Sequence, residues 1–181
     1  AGKSLSQTIP GEWHYNKYGG VYIVNNSLDI NDLLSHSDEP SELSVFKNYI
    51  GYTQKSITLE DLVFIDIETT GLASDAGTYV FLIGLGKYTG TRLNLTQFFL
   101  NSPAGELALL DQLEKHLTDS SVIVSYNGKS FDVPHIRSRY QYFDWPNPLE
   151  DHHHIDLLHL VRRIWKARLP NRSLGQIETK I

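Results

Sequence analysis

The chain has no cysteine, which excludes disulfides and thiolate metal sites. Any metal must therefore be held by oxygen or imidazole. Methionine is absent too, position 1 included, as expected of a processed or excised chain. No stretch reads as a signal peptide or as the roughly 20 apolar residues of a membrane span, so the cytoplasm is the expected compartment and no membrane partner is expected. Internal repeats and low-complexity segments are also missing. What is present is ordinary in composition. The 181 residues are 40% hydrophobic and 20% charged, enough for one domain with a sizeable core and room for an appendage.

The net charge of −5 argues weakly against a polyanionic partner, but the charge is unevenly spread. Arg162, Arg163, Lys166, Arg168, Arg172 and Lys180 stand against Glu178 alone in the last stretch. Such asymmetry points modestly to nucleic acid, and it fits a solvated helix face equally well.

The most informative stretch is Leu62-Val63-Phe64-Ile65-Asp66-Ile67-Glu68-Thr69-Thr70-Gly71-Leu72. Its apolar start predicts a buried strand. Residues two apart in a strand share a face, so Asp66 and Glu68 project together. Two like charges there lose hydration and repel each other unless a cation lies between them. Mg²⁺ or Mn²⁺ is the usual answer to paired oxygen ligands. Read alone, a D-x-E also fits an edge strand that ends in solvated acids.

Residues 1–60 read as an N-terminal arm or cap, and residues 61–181 as the main domain. In the arm, Trp13–Tyr18, a Gly19-Gly20 turn and Val21–Val24 predict a hairpin. Ser35–Ser41 is expected to be a loop and Glu42–Ile50 a short helix ending at Gly51, with His14 and His36 at the surface. In the main domain three strands follow: Leu62–Ile67, Tyr79–Tyr88 and Arg92–Leu100, the last two joined by Thr89-Gly90-Thr91. Such short connections predict an antiparallel meander. Ser102 and Pro103 then open a helix whose Leu107, Leu110, Leu113 and Leu117 form an apolar stripe. The strand Val122–Val124, reached through that helix, should lie parallel to and beside the first. A helix over Phe131–Tyr142 follows. Asp156 is expected to cap another, with Leu157, Leu160, Val161 and Ile164 as its buried face, and Ser173–Gln176 to open a last one. His152-His153-His154 reads as a solvated loop, because consecutive residues rarely face one ion. His135 reads as packed.

The second informative stretch is Ser125-Tyr126-Asn127-Gly128-Lys129-Ser130-Phe131-Asp132-Val133-Pro134. It sits between a strand and a helix. Asp132 falls in a first helical turn, where the dipole favours its charged form. If the strands pair as argued, Asp132 approaches Asp66. Tyr126 and Phe131 offer ring faces to a base, and Asn127 offers a donor and an acceptor. Alone, this stretch also fits a helix start that Ser130 and Asp132 merely stabilise.

Together the two stretches carry a resemblance. F-I-D-I-E-T-T-G-L resembles the first motif of the DEDD superfamily of 3′→5′ exonucleases, and Y-N-G-K-S-F-D-V-P-H-I resembles their second, in the form seen in family B polymerase proofreading domains. Gly77–Gly84, Gln97–Leu100 and His154–His159 are similar to a narrower group, the YprB-type ribonuclease H-like proteins. The resemblance implies an α/β ribonuclease H-like fold: a mixed sheet of an antiparallel meander plus parallel strands, with flanking helices. It implies a metal-dependent exonuclease acting on a single-stranded 3′ end of DNA or RNA with two Mg²⁺ or Mn²⁺ ions. Asp66 would bridge the ions, Glu68 would hold the ion on the nucleophile side and Asp132 the ion on the leaving-group side. Thr69, Tyr126, Asn127, Lys129 and Phe131 would bind the terminal nucleotide, and Lys129, Arg137 and Arg162 would track the backbone. The family's fourth acid has no matching position here and is expected beyond Ile181, so that the domain would be C-terminally incomplete. The competing expectation is a non-catalytic nucleic-acid-binding or scaffold module that keeps the fold.

Overall fold

The structure, a computed structural model, describes residues 5–31, 57–73, 77–118, 122–165 and 172–178. The expected loop at Ser35–Ser41, the expected helix at Glu42–Ile50, and His36, Lys166, Arg168 and Lys180 lie outside the described residues, as do the side chains of Ile164 and Glu178.

A helical turn, α1 (Leu5–Thr8), precedes β1 (Glu12–Asn16) and β2 (Gly19–Asp29). The meander follows as β3 (Leu62–Thr69), β4 (Val80–Thr89) and β5 (Arg92–Phe99). Then come α2 (Glu106–Leu117), β6 (Val122–Ser125), α3 (Asp132–Tyr142), β7 (His153–Asp156), α4 (Leu157–Ile164) and α5 (Leu174–Glu178). The strands form one sheet in the order β1-β2-β5-β4-β3-β6-β7. β3, β4 and β5 pair antiparallel, as their short connections predict. β6 lies parallel to β3, with Leu62 opposite Val122 and Phe64 opposite Val124.

Alternation along β3 decides the layers. Val63, Ile65 and Ile67 pack with Ile83, Leu85 and Phe98 against Leu109, Leu110, Leu113 and Leu117 of α2 and Ile136 and Tyr140 of α3. Leu62 faces the other way and packs with Ile57, Val122, Val124 and Ile155, joined by Phe64, Leu157 and Leu160. The α2 stripe is rotated from expectation: Ala108 and Leu109 are buried and Leu107 only partly so.

Three local expectations are corrected. Asn16 pairs with Gly19, so the hairpin turns at Lys17-Tyr18 and not at Gly19-Gly20. The Asn16 side chain accepts from Tyr18 N at 2.9 Å and holds the turn, while Gly19 takes the φ of +133° that follows it. Gly20 is a strand residue opposite Tyr15, and a Cβ there would stand 2.7 Å from the Tyr15 ring. Secondly, Ser102 makes no side-chain cap. Pro103–Gly105 form a 3-10 turn, and α2 starts at Glu106. Thirdly, His153 and His154 are not in a loop. They open β7, which pairs parallel with β6 (Val122 opposite His153, Ser125 opposite Asp156), and all three histidines are partly buried. Sheet pairing outweighed their polarity.

β2 runs to Asp29, beyond the expected Val24, and pairs with β5 from Tyr22 opposite Phe99 to Asp29 opposite Arg92. Its second half is exposed and polar, so it carries no apolar run for a sequence reading to catch.

Candidate active site

Asp66 and Glu68 lie exposed on one face of β3, alternating with buried Ile65 and Ile67. The next strand gives them room. Asp66 pairs with Gly84, and a Cβ at Gly84 would meet nothing nearer than the Asp66 carbonyl oxygen at 3.8 Å. A cavity of 510 Å³ opens there, lined by Phe64, Asp66, Gly84, Leu95, Gln97 and Tyr126 among others. Burial raises the Asp66 carboxyl above its ordinary pKa, and the neighbouring Glu68 charge adds to this. After Glu68 the register with β4 shifts. The Thr69 hydroxyl donates to Gly71 O at 2.6 Å, which closes the turn.

Asp132 arrives from the other side. β3 pairs with β6 only as far as Phe64, so on that side Ile67, which faces Ile83 of β4 on the other, has no partner strand for its amide. The first turn of α3 fills that place: Ile67 N donates to Asp132 Oδ1 at 3.1 Å. The third carboxylate is thereby tied to the backbone between the first two. Asp132 is 4% exposed, and burial is the main reason its pKa rises to about 6. The charges of Asp66 and Asp156 push the same way, while backbone N–H groups at residues 132 and 67 oppose them. No lysine, arginine or histidine forms an ion pair with Asp66, Glu68 or Asp132 among the described residues.

The turn before α3 leaves no slack. Asn127 takes a φ of 70°, and a Cβ at Gly128 would stand 2.3 Å from Ser125 Oγ and 3.0 Å from Asp132 Oδ2. Ser125 Oγ accepts from Gly128 N at 3.1 Å and meets His154 Nε2 at 2.7 Å. Burial, with the Lys129 charge, lowers the His154 pKa to about 4. Asp156 caps α4 as expected, accepting from Leu158 N at 3.0 Å, and it also accepts from Asn127 N and Lys129 N. Those two bonds, and the Ser125–His154 contact, were not visible in the sequence. The alternation His154-Ile155-Asp156 was the signal available, since it marks a strand whose end faces the turn.

Of the remaining expected residues, Tyr126 donates its hydroxyl to Arg172 O, and Arg162 is close enough to act on it electrostatically. Lys129, Arg137 and Arg162 are exposed. The Phe131 ring lies 4.4 Å from that of His135, which is packed as expected, with Nδ1 2.8 Å from Phe131 O.

An all-carboxylate set without cationic partners among the described residues suits a hard divalent cation in kind. As arranged, no group of three His, Cys, Asp or Glu is close enough to hold a metal among the described residues.

Comparison with known proteins places the chain in a family and supports the fold. A family model described as RNase_H_2, of the RNase_H superfamily, matches residues 63–181. The uncharacterized protein YprB of Bacillus subtilis (strain 168) is 37% identical over 125 residues, covering 68% of this chain and 30% of that protein. The chain thus spans about a third of the length of that relative. A structure of exonuclease I, described as suggesting how processivity is achieved, aligns with a TM-score of 0.53 at 17% identity over 65% of this chain and 34% of that one. Escherichia coli exonuclease I in complex with a 5cy-dA13 oligonucleotide aligns with a TM-score of 0.52 at 16% identity, over 65% and 35%. At such identities the likeness is one of fold.

Proposed function

The chain belongs to the ribonuclease H superfamily, and from that premise we propose that it is a 3′→5′ exonuclease domain that hydrolyses phosphodiester bonds of single-stranded DNA or RNA. One observation carries the proposal. Asp132, from the first turn of α3, bonds the β3 backbone between Asp66 and Glu68, so that two separated segments bring acids to one end of the sheet. That end is where α/β folds bind their ligands, beyond the carboxyl ends of parallel strands.

Asp66, Glu68 and Asp132 would hold Mg²⁺ or Mn²⁺. When bound, such ions lower the pKa of an attacking water and stabilise the leaving 3′-oxygen. The carboxylates themselves repel a phosphate, so the site is expected to engage a 3′ end only in the loaded protein. Asp66 is electrostatically coupled to both Glu68 and Asp132, which suits it to bridge. The Thr69 backbone, the Tyr126 and Phe131 rings and the Asn127 amide would orient the terminal nucleotide. Exposed Lys129, Arg137 and Arg162 would meet backbone phosphates.

The test is a labelled single-stranded oligonucleotide incubated with the full-length protein and Mn²⁺ or Mg²⁺. The expected outcome is shortening from the 3′ end, abolished in Asp66→Ala with folding retained. Wild-type rates in that variant would refute the site. The second reading, a binding module without catalysis, draws on the lack of a three-residue metal cluster among the described residues. It predicts equal oligonucleotide binding in EDTA and no shortening.

A further inference from the structure

We propose that Asp156 is a positioning residue whose carboxylate winds the Tyr126–Ser130 turn around itself and thereby sets Asp132 against β3. Asp156 is fully buried, at 0% exposure, yet no lysine, arginine or histidine pairs with it among the described residues. Backbone amides take that place. Oδ1 accepts from Asn127 N at 2.8 Å and Leu158 N at 3.0 Å, and Oδ2 accepts from Lys129 N at 3.1 Å. A helix cap needs only the bond to Leu158. The other two reach across 29 and 27 residues, from the end of β7 to the turn after β6.

The other amides from Gly128 to Phe131 are satisfied locally. Gly128 N donates to Ser125 Oγ, and Ser130 N and Phe131 N donate to Asn127 O. With Asn127 in the left-handed region, the alternate N–H groups of Asn127 and Lys129 converge in a cup of the kind that holds anions. Here an internal carboxylate fills it. The cup leads straight to the site. Gly128 O accepts from Val133 N at 2.9 Å in the first turn of α3, Gly128 abuts Asp132 Oδ2, and Asp132 Oδ1 accepts from Ile67 N. Withdrawing the Asp156 carboxylate leaves two amides of the turn without their acceptor, and the cheapest remedy is to unwind the turn that places Asp132.

The Ile67 amide reports this directly, because its acceptor is Asp132. Backbone hydrogen exchange on Asp156→Ala should show lost protection at Asn127 and Lys129. It should also show about tenfold or more at Ile67, the scale of one bond to a charged acceptor, with amides in the middle of β4 and β5 unchanged. A cap with no further reach would leave Ile67 as protected as in wild type, and that result overturns the proposal. If Asp156→Ala does not fold, Asp156→Asn serves. It keeps one oxygen and presents an N–H toward Lys129 N, so Ile67 should lose protection in step with Lys129. An opened Lys129 amide with Ile67 unchanged overturns the proposal there too. The catalytic meaning rests on the nuclease reading: kcat should fall about tenfold as Asp132 shifts, and the oligonucleotide KM should rise with it, since Tyr126, Asn127 and Lys129 belong to the turn that unwinds. A wild-type protein without nuclease activity would refute that reading and leave the exchange result standing.

Discussion

Glu106 and Asp132 make an instructive pair. Each is an acid in the first turn of a helix that packs on the same face of the sheet, and they are 2% and 4% exposed. Glu106 meets Arg139, with Nε 2.5 Å from Oε1 and Nη2 2.8 Å from Oε2. The guanidinium is held in turn over the rings of Tyr79 and Tyr142. This charge is fully compensated and fastens α2 to α3. Asp132 has backbone N–H groups and a like-charged neighbour. A buried charge left without a countercharge costs stability, and such a cost persists where something outside the polypeptide, such as a cation, repays it. The difference separates an acid satisfied within the fold from one left available to the proposed site.

The comparison can be broken most forcefully at Arg139. Arg139→Leu leaves Glu106 buried and unpaired, and urea unfolding should show a loss of about 3–5 kcal/mol. Adding Glu106→Leu should recover most of it, because two apolar side chains need no compensation. A small loss in the single variant would mean that Glu106 is no more compensated than Asp132.

Asp132→Asn should act in the opposite direction. The Asp132 pKa is raised in the folded protein from 3.8 to about 6. A raised carboxyl contributes stability that is complete below its ordinary pKa and is lost as pH rises through the folded value. In metal-free protein the asparagine variant, which keeps an oxygen for Ile67 N–H, should therefore exceed wild type by on the order of 2 kcal/mol above pH 6. The gain should vanish below about pH 4, which melting curves across that range would show. A pH-independent difference would remove the titration argument.

The smallest effect is linkage to a cation. Millimolar Mg²⁺ or Mn²⁺ should raise the melting temperature of wild type above pH 6 by an amount worth roughly 1 kcal/mol. It should leave Asp132→Asn and Asp66→Asn largely unmoved. Equal shifts in all three would place any bound ion elsewhere.

Much of this was legible beforehand where the signal was local. The β3 run and the Thr89–Thr91 turn each lie within a few residues of sequence, and period-2 alternation alone puts Asp66 and Glu68 on one face, while the α2 stripe was legible only in part, since Ala108 and Leu109 are buried outside it. The parallel placement of β6 followed from the crossover through α2. The hairpin turn was missed because the Asn16 side chain outweighed the neighbouring glycines. β7 was missed because its stability comes from pairing with β6, which three histidines do not advertise.

By itself the sequence determined which acids face the same way and that β3, β4, β5 and β6 neighbour one another, because both follow from chain geometry over short spans. Only the tertiary structure decided that Asp132 meets Ile67, that Glu106 is neutralised and Asp132 is not, and that Asp156 reaches the turn after β6. The first and the last of these depend on where a strand stops. β6 leaves the Ile67 amide uncovered, β7 ends level with Ser125, and a hydrogen-bonding group left open at a strand end is satisfied by whatever residue the rest of the fold brings within 3 Å.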